Sequence, residues 1–155
     1  MHHSEATVLA TELDRLYSRV DTIYHDIFLP SGISGCAYWL MYALYEAGEP
    51  MPLRELRQAW CYSKQTVSSA LRTLEKKGLV SVRLEADSSK NKTVELTPSG
   101  KEFGRLHGEP TMRAEETAFD ALDEGERAKL VELLRRYADA LEAEKERMQR
   151  EGGAA

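Results

Sequence analysis

Apolar residues recur at helical spacing along most of this chain, with one stretch that alternates like a strand. From Thr7 to Phe28, the residues Leu9, Leu13, Leu16, Val20, Ile23 and Ile27 alternate spacings of four and three. That narrow, heptad-like seam predicts a helix packed against another helix. Pro30-Ser31-Gly32 stops it. Residues 33–47 read as a second helix with two apolar faces, Ile33, Ala37, Leu40, Met41 and Leu44 on one and Tyr38, Tyr42 and Tyr45 with Trp39 on the other. A helix apolar nearly all round is buried on more than one side.

Gly48 to Pro52 reads as a turn and Leu53 to about Ala59 as a short helix with Leu56 inward. The stretch SKQTVSSALRTLEKKG, residues 63–78, predicts an amphipathic helix. Val67, Ala70, Leu71 and Leu74 form its apolar stripe, Ser63 is the N-cap, Tyr62 with Val67 a hydrophobic staple, and Gly78 the C′ residue. LVSVRLE and TVEL then alternate as two strands around the polar loop ADSSKNK, a β-hairpin. Thr97 and Pro98 start another helix as N-cap and N1. Gly108 and Pro110 should break or kink it before it resumes to about Ala121. Asp123 and Glu126 have capping-box spacing. Leu130, Leu134, Tyr137, Leu141 and Met148 form a second narrow seam on the last helix.

Composition changes this picture little: 155 residues, 42% hydrophobic and 30% charged, are ordinary for a globular protein. No run approaches the roughly 18 apolar residues of a membrane span, and Glu12, Asp14, Arg15 and Arg19 interrupt any signal-peptide core. The expectation is a cytoplasmic protein with Cys36 and Cys61 as reduced thiols. Charge changes it more. Residues 50–101 hold ten Lys/Arg against five acids, a local +5, while the remaining 11 bases and 21 acids carry −10, within a net −5. A polyanion needs only a local basic surface.

The polar face of 63–72 sharpens that inference. Lys64, Gln65, Thr66, Ser68, Ser69 and Arg72 carry no carboxylate among them, whereas an ordinary solvated helix mixes Glu with Lys. Helix, turn, polar-faced helix and hairpin with a basic tip is the order of a winged helix-turn-helix. In that arrangement the second helix enters the major groove and its N-terminal side chains reach base edges. Gln65 can pair bidentately with adenine, Lys64 can reach guanine acceptors, and Thr66 can offer a methyl to thymine. Ser63, Ser68 and Ser69 complete the polar surface. Arg54, Arg72 and Lys76 are placed for phosphates, and Lys90 and Lys92 at the hairpin tip for a minor groove or backbone.

The segment LRELRQAWCYSKQTVSSALRTLEKKGLVSVRLEADSSKNKTVELTPSGKE resembles the DNA-binding lobe of the MarR family, dimeric bacterial regulators that often respond to small ligands. SKQTVSSALRTLEKKGLV, the hairpin and LTPSGKE carry the resemblance, and helical flanks extend it over roughly residues 8–148. It implies a mainly α fold with a small β-hairpin wing, one domain over 1–155. Its core is 33–121, with the winged helix-turn-helix at about 50–97, and 7–29 and 123–150 form a helical dimerisation region. The family's interface is built from both chain ends, which agrees with the seams through Leu9, Leu13, Leu16 and Val20 and through Leu130, Leu134, Tyr137 and Leu141. The family places effectors between the two lobes, where Tyr24, His25, Phe28, Tyr38, Trp39 and Tyr42 would line a pocket. Plain core packing is the competing reading of those six. The sequence departs from the family at the wing, where Asp87 is followed by Ser88-Ser89 in place of Asp-x-Arg. Bulky Trp60 and Tyr62 also occupy the helix-turn-helix turn.

The implied function is sequence-specific regulation of transcription by a homodimer on a pseudo-palindromic duplex operator, modulated by a small molecule. Two alternatives stay open: a winged-helix module that docks protein rather than DNA, and a regulator that senses oxidants through Cys36 or Cys61. His2, His3, His25 and His107 form no metal-ligand spacing with either cysteine, and no nucleophile–base pair, phosphate loop or carboxylate pair emerges. The sequence therefore calls for no metal, cofactor, catalysis or membrane partner.

Overall fold

The computed structural model describes residues 4–59, 62–84 and 91–152. In chain order the elements are α1 (Glu5–Phe28), a 3₁₀ turn (Leu29–Ser31), α2 (Gly35–Ala47), β1 (Met51–Pro52), α3 (Leu53–Ala59) and α4 (Lys64–Lys76). Strands β2 (Val80–Leu84) and β3 (Lys92–Leu96) follow, then α5 (Pro98–Phe103), a π-helical turn (Gly104–Gly108), α6 (Glu109–Asp120) and α7 (Glu124–Gly152). The chain divides into two compact units, Met1–Thr111 and Met112–Ala155. Among the described residues no single helix is long and apolar enough to cross a membrane.

Local chemistry accounts for most element ends. Ser4, Ser34, Ser63 and Thr97 each accept a hydrogen bond from the backbone N–H three residues on, capping α1, α2, α4 and α5. At the far end of α4, Gly78 takes φ +69°, its N–H donates to the Glu75 carbonyl and the Leu79 N–H to the Leu74 carbonyl. That is a Schellman motif, and only glycine enters it without a Cβ penalty. At α7 the Glu126 N–H donates to Asp123 Oδ1 and the Asp123 N–H to Glu126 Oε2, both at 2.9 Å, closing the expected capping box.

The core of the first unit gathers one stripe from each element. Leu40, Met41 and Leu44 of α2 meet Leu56 of α3, Val67, Leu71 and Leu74 of α4, and Val80 and Val94 of the sheet. Each such Leu or Val contributes about 1.5–3 kcal/mol relative to an exposed side chain. The four residues expected on the inner face of α4 are all buried. Ile33 lies ahead of α2 rather than on it and packs against the same core. Tyr62 does so too.

Three sequence expectations need correction. The 48–52 turn contains a strand: Met51 pairs with Val94 and Pro52 with Thr93, so the hairpin becomes a three-stranded antiparallel sheet in the order β1-β3-β2. Proline is tolerated there because β1 is an edge strand. Lys92 belongs to β3, opposite Leu84, rather than to the loop. Gly108 and Pro110, expected to break or kink the helix, leave the helical run continuous but distort it. Pro110 has no N–H to donate to Leu106, and the backbone absorbs this by a π turn in which the Glu109 N–H reaches the Gly104 carbonyl.

The start of α5 is tied to the end of α4. Thr97 Oγ1 donates to the Gly78 carbonyl at 2.5 Å and the Thr97 N–H to the Leu79 carbonyl at 3.1 Å. Gly100 sits so close to Leu79 that a Cβ there would lie 1.9 Å from the Leu79 carbonyl oxygen.

Candidate nucleic-acid interface

Helix α4 presents two unlike faces. At about 100° per residue, Gln65, Ser69, Arg72 and Lys76 fall directly opposite the buried Val67, Ala70, Leu71 and Leu74. All four are exposed. Lys64 and Ser68 lie on one flank, Lys64 exposed and Ser68 half-buried, and Thr66 lies exposed on the other. The hydroxyls of Ser63 and Thr66 are within 2.7 Å of each other, and Ser63 Oγ accepts the Thr66 N–H at 3.1 Å. Those two side chains therefore hold the cap that presents the first turn.

The electrostatics of α4 contrast with those of α7. Along α7, Lys129 and Arg136 pair with Glu132, Lys145 with Glu142, and Arg147 with Glu144 and Glu151, the lacing of a solvated helix. On α4, Lys64, Arg72 and Lys76 have no carboxylate partner among the described residues. Arg54 is exposed on α3 and Lys92 is exposed at the first position of β3. Lys90, with Asp87, Ser88 and Ser89, lies outside the described residues, as do Trp60 and Cys61.

The six aromatic and imidazole residues expected to line a pocket do meet. Trp39 makes edge contacts with Tyr24 (centroids 5.0 Å apart), Tyr38 (5.5 Å) and Tyr42 (5.3 Å). Phe28 stacks on Tyr38 at 5.4 Å and takes the edge of His25 at 5.1 Å. Tyr38 is buried; Tyr24, Phe28, Trp39 and Tyr42 are half-buried, and His25 is exposed. The Tyr38 hydroxyl donates to the His107 carbonyl at 2.9 Å and lies 2.6 Å from Thr111 Oγ1, linking the cluster to the π turn.

Tyr45, grouped by periodicity with Tyr38 and Tyr42, goes elsewhere. Its hydroxyl donates to Glu109 at 2.5 Å, and that bond raises its pKa by favouring the protonated phenol. Its ring packs on Gly104. Cys36 is buried, and desolvation raises its thiol pKa, which disfavours the reactive thiolate.

Sequence reasoning passed over Gly35, Gly100 and Gly104. Gly35 lies close under Phe28, and a Cβ there would meet the Phe28 ring at 3.0 Å, a tight contact. The spacing of four between Gly100, Gly104 and Gly108 was the available signal. On the dimerisation candidates, α1 and α7 bury no residue. Leu9, Leu16, Val20, Leu130 and Leu141 are exposed, and Leu13, Leu134 and Tyr137 half-buried.

Comparison with known proteins places the fold. The family model described as MarR family matches residues 31–89, and no curated protein matches the chain. The structure is similar to a MarR family regulator from Neisseria meningitidis, with a TM-score of 0.74 at 19% identity over 88% of this chain and 97% of that one. It is similar also to S. aureus MepR in its DNA-binding conformation, with a TM-score of 0.69, 19% identity, and 90% and 99% of the two chains. A third is Bordetella bronchiseptica BpsR, whose DNA binding is regulated by 6-hydroxynicotinic acid, with a TM-score of 0.70, 19% identity, and 90% and 99% coverage. At such identities the likeness is one of fold.

Proposed function

We propose that this chain, a member of the MarR family of winged-helix regulators, controls transcription by binding a pseudo-palindromic duplex operator as a homodimer. The observation that supports this reading is the outer face of α4, where Gln65, Ser69, Arg72 and Lys76 project opposite a buried stripe, with cations that have no carboxylate partner among the described residues. A helix docked by its N-terminal turn in the major groove would set Gln65 against base edges and Arg72 and Lys76 beside the backbone. A protein-docking module would need apolar side chains on that face, and it has none.

Helices α1 and α7, neither of which has a fully buried residue, support the homodimer. Helix α1 exposes Leu9, Leu16, Val20, Ile23 and Ile27, and α7 exposes Leu130, Val131, Leu133, Leu141 and Met148. Such contiguous apolar seams call for a second copy. Two symmetric recognition helices would read half-sites about 10 bp apart. The Tyr24–Trp39–Tyr42 rings and His25 are the surface offered to a small effector, a flat aromatic acid of the kind that regulates BpsR fitting their chemistry.

Genome-fragment selection with the purified protein supplies the operator, and two substitutions then test the reading on single-base variants of it. Gln65→Ala should lose discrimination at one base position, on the order of 1–3 kcal/mol, with the salt slope nearly unchanged. Arg72→Ala should weaken all sequences alike and lower the slope by about one. If neither substitution alters binding, α4 is not a recognition helix.

A further inference from the structure

A cleft in the first unit shares no residue with α4 or with the aromatic cluster. It lies between the C-terminal end of α2 and the junction of β3 with α5, and its volume of about 500 Å³ is that of a small-molecule site. Leu96 and Tyr45, both half-buried, and the rigid rings of Pro50 and Pro98 give it an apolar lining. The buried Leu44 joins that lining to the core.

The charges around the cleft fall into two groups. One group is already paired: Glu95 accepts from the Ser81 hydroxyl at 3.0 Å and pairs with Arg83, and Glu102 holds the Arg105 guanidinium by hydrogen bonds of 2.9 and 2.7 Å. Glu49 and Lys101 form the other. Both are exposed and line the cleft, yet they pair neither with each other nor with any other described residue. Glu49 also stands against the local field. It follows Gly48, the cap at the carbonyl end of α2, where the helix dipole disfavours an acid and favours a cation. An ammonium group there meets the carboxylate and the helix end together, while Lys101 offers three donors to an anion. A ligand with only one charge leaves the other pole unmatched, so the cleft selects a molecule that carries both.

We propose that this cleft is a second small-molecule site, for an α-amino acid with an aliphatic side chain. Its ammonium sits at Glu49 and the end of α2, its carboxylate at Lys101, and its side chain against Leu96 and the proline rings. The site bears on α4 through Thr97, which lies between the lining residues Leu96 and Pro98. Thr97 ties the start of α5 to the turn that ends α4, its hydroxyl donating to the Gly78 carbonyl and its N–H to the Leu79 carbonyl. A ligand that bridges the end of α2 to Leu96 and Pro98 fixes the position of that tie, and so shifts the affinity of α4 for duplex. This regulatory half rests on the DNA-binding reading; the binding of the amino acid does not.

The test titrates the full chain with L-leucine, read by calorimetry and by methyl-resolved NMR. Saturable binding of one molecule per chain is expected, with the Leu96 methyl signals shifting. Isoamylamine and 4-methylpentanoate keep the side chain and one charge each, and should bind about tenfold more weakly or worse. Glu49→Gln and Lys101→Gln should each weaken leucine binding by about tenfold, with thermal melting confirming that both variants fold. On the selected duplex, leucine should shift operator affinity by about fivefold or more, and the concentration giving half that shift should rise in Glu49→Gln in step with its weaker binding. Absence of saturable leucine binding, equal binding of either single-charge analogue, or binding unaltered in both variants overturns the site. Leucine binding that leaves operator affinity unmoved overturns the regulatory half alone. A chain that binds leucine but no duplex overturns the DNA reading and leaves the site standing.

Discussion

Gly100, Gly104 and Gly108 lie four residues apart along the helical run that follows the wing, and none of them needs a positive φ. Replacing each by alanine in turn should therefore gain the same helix propensity, about 0.5–1 kcal/mol, offset by whatever the new methyl meets. At Gly108 the Cβ would find Tyr45 Cδ1 at 3.6 Å, an ordinary contact, so Gly108→Ala should stabilise by roughly the full propensity gain. At Gly104 it would fall 2.1 Å from Tyr45 Cδ2, and the Tyr45 ring is held at its far end by Glu109. Overpacking of that kind costs about 1–3 kcal/mol, so a net loss of about 0.5–2 kcal/mol is expected. At Gly100 the obstacle is the Leu79 carbonyl oxygen at 1.9 Å, which is backbone and cannot rotate aside. Moving it also disturbs the Thr97 N–H bond to that oxygen, adding about 1 kcal/mol, so Gly100→Ala should lose the most.

Urea unfolding at one fixed protein concentration measures the series, because the proposed association with a second copy would make apparent stability concentration-dependent. Midpoints should rank Gly108→Ala above wild type and Gly104→Ala below it, with Gly100→Ala lowest. Thermal midpoints should move by about 2–4 °C per kcal/mol. Gly100→Ala should also weaken operator binding, since Leu79 closes the Schellman turn that ends α4. Equal effects at Gly104 and Gly108 would refute the reasoning, because the only difference invoked is the 1.5 Å by which Tyr45 stands closer to one than the other.

Two further expectations concern the proposed interface and the aromatic cluster. Leu13→Glu combined with Leu134→Glu should yield monomeric or unfolded protein by light scattering and circular dichroism, and a stable dimer that still binds operator would contradict the assembly. Tyr38→Phe removes a buried hydroxyl whose partner Thr111 still donates to the His107 carbonyl at 3.1 Å, so no donor is orphaned. Its cost in urea unfolding should be about 1 kcal/mol, and a loss above about 3 kcal/mol would mean that the hydroxyl organises more than this triad.

What the sequence alone determined is whatever depends on residues within a few positions of one another. Ser63 and Thr66 cap α4, Gly78 ends it, Asp123 and Glu126 box the start of α7, and the spacing of Val67, Ala70, Leu71 and Leu74 picks its buried face. Each is a local steric or hydrogen-bond requirement, so it is written in consecutive residues. The outer face of α4 was legible for the same reason, being the complement of that stripe. Only the tertiary structure decided which distant groups meet. A two-residue strand at Met51–Pro52 carries no periodicity of its own and exists because Val94 and Thr93 offer it partners some forty residues away. Tyr38 and Tyr45 lie on one helix seven residues apart, yet one ends on Thr111 and the other on Glu109 and Gly104. Helical periodicity tells which side of an element faces inward. What waits there is set by loop closure and packing between elements, which no window of neighbouring residues contains.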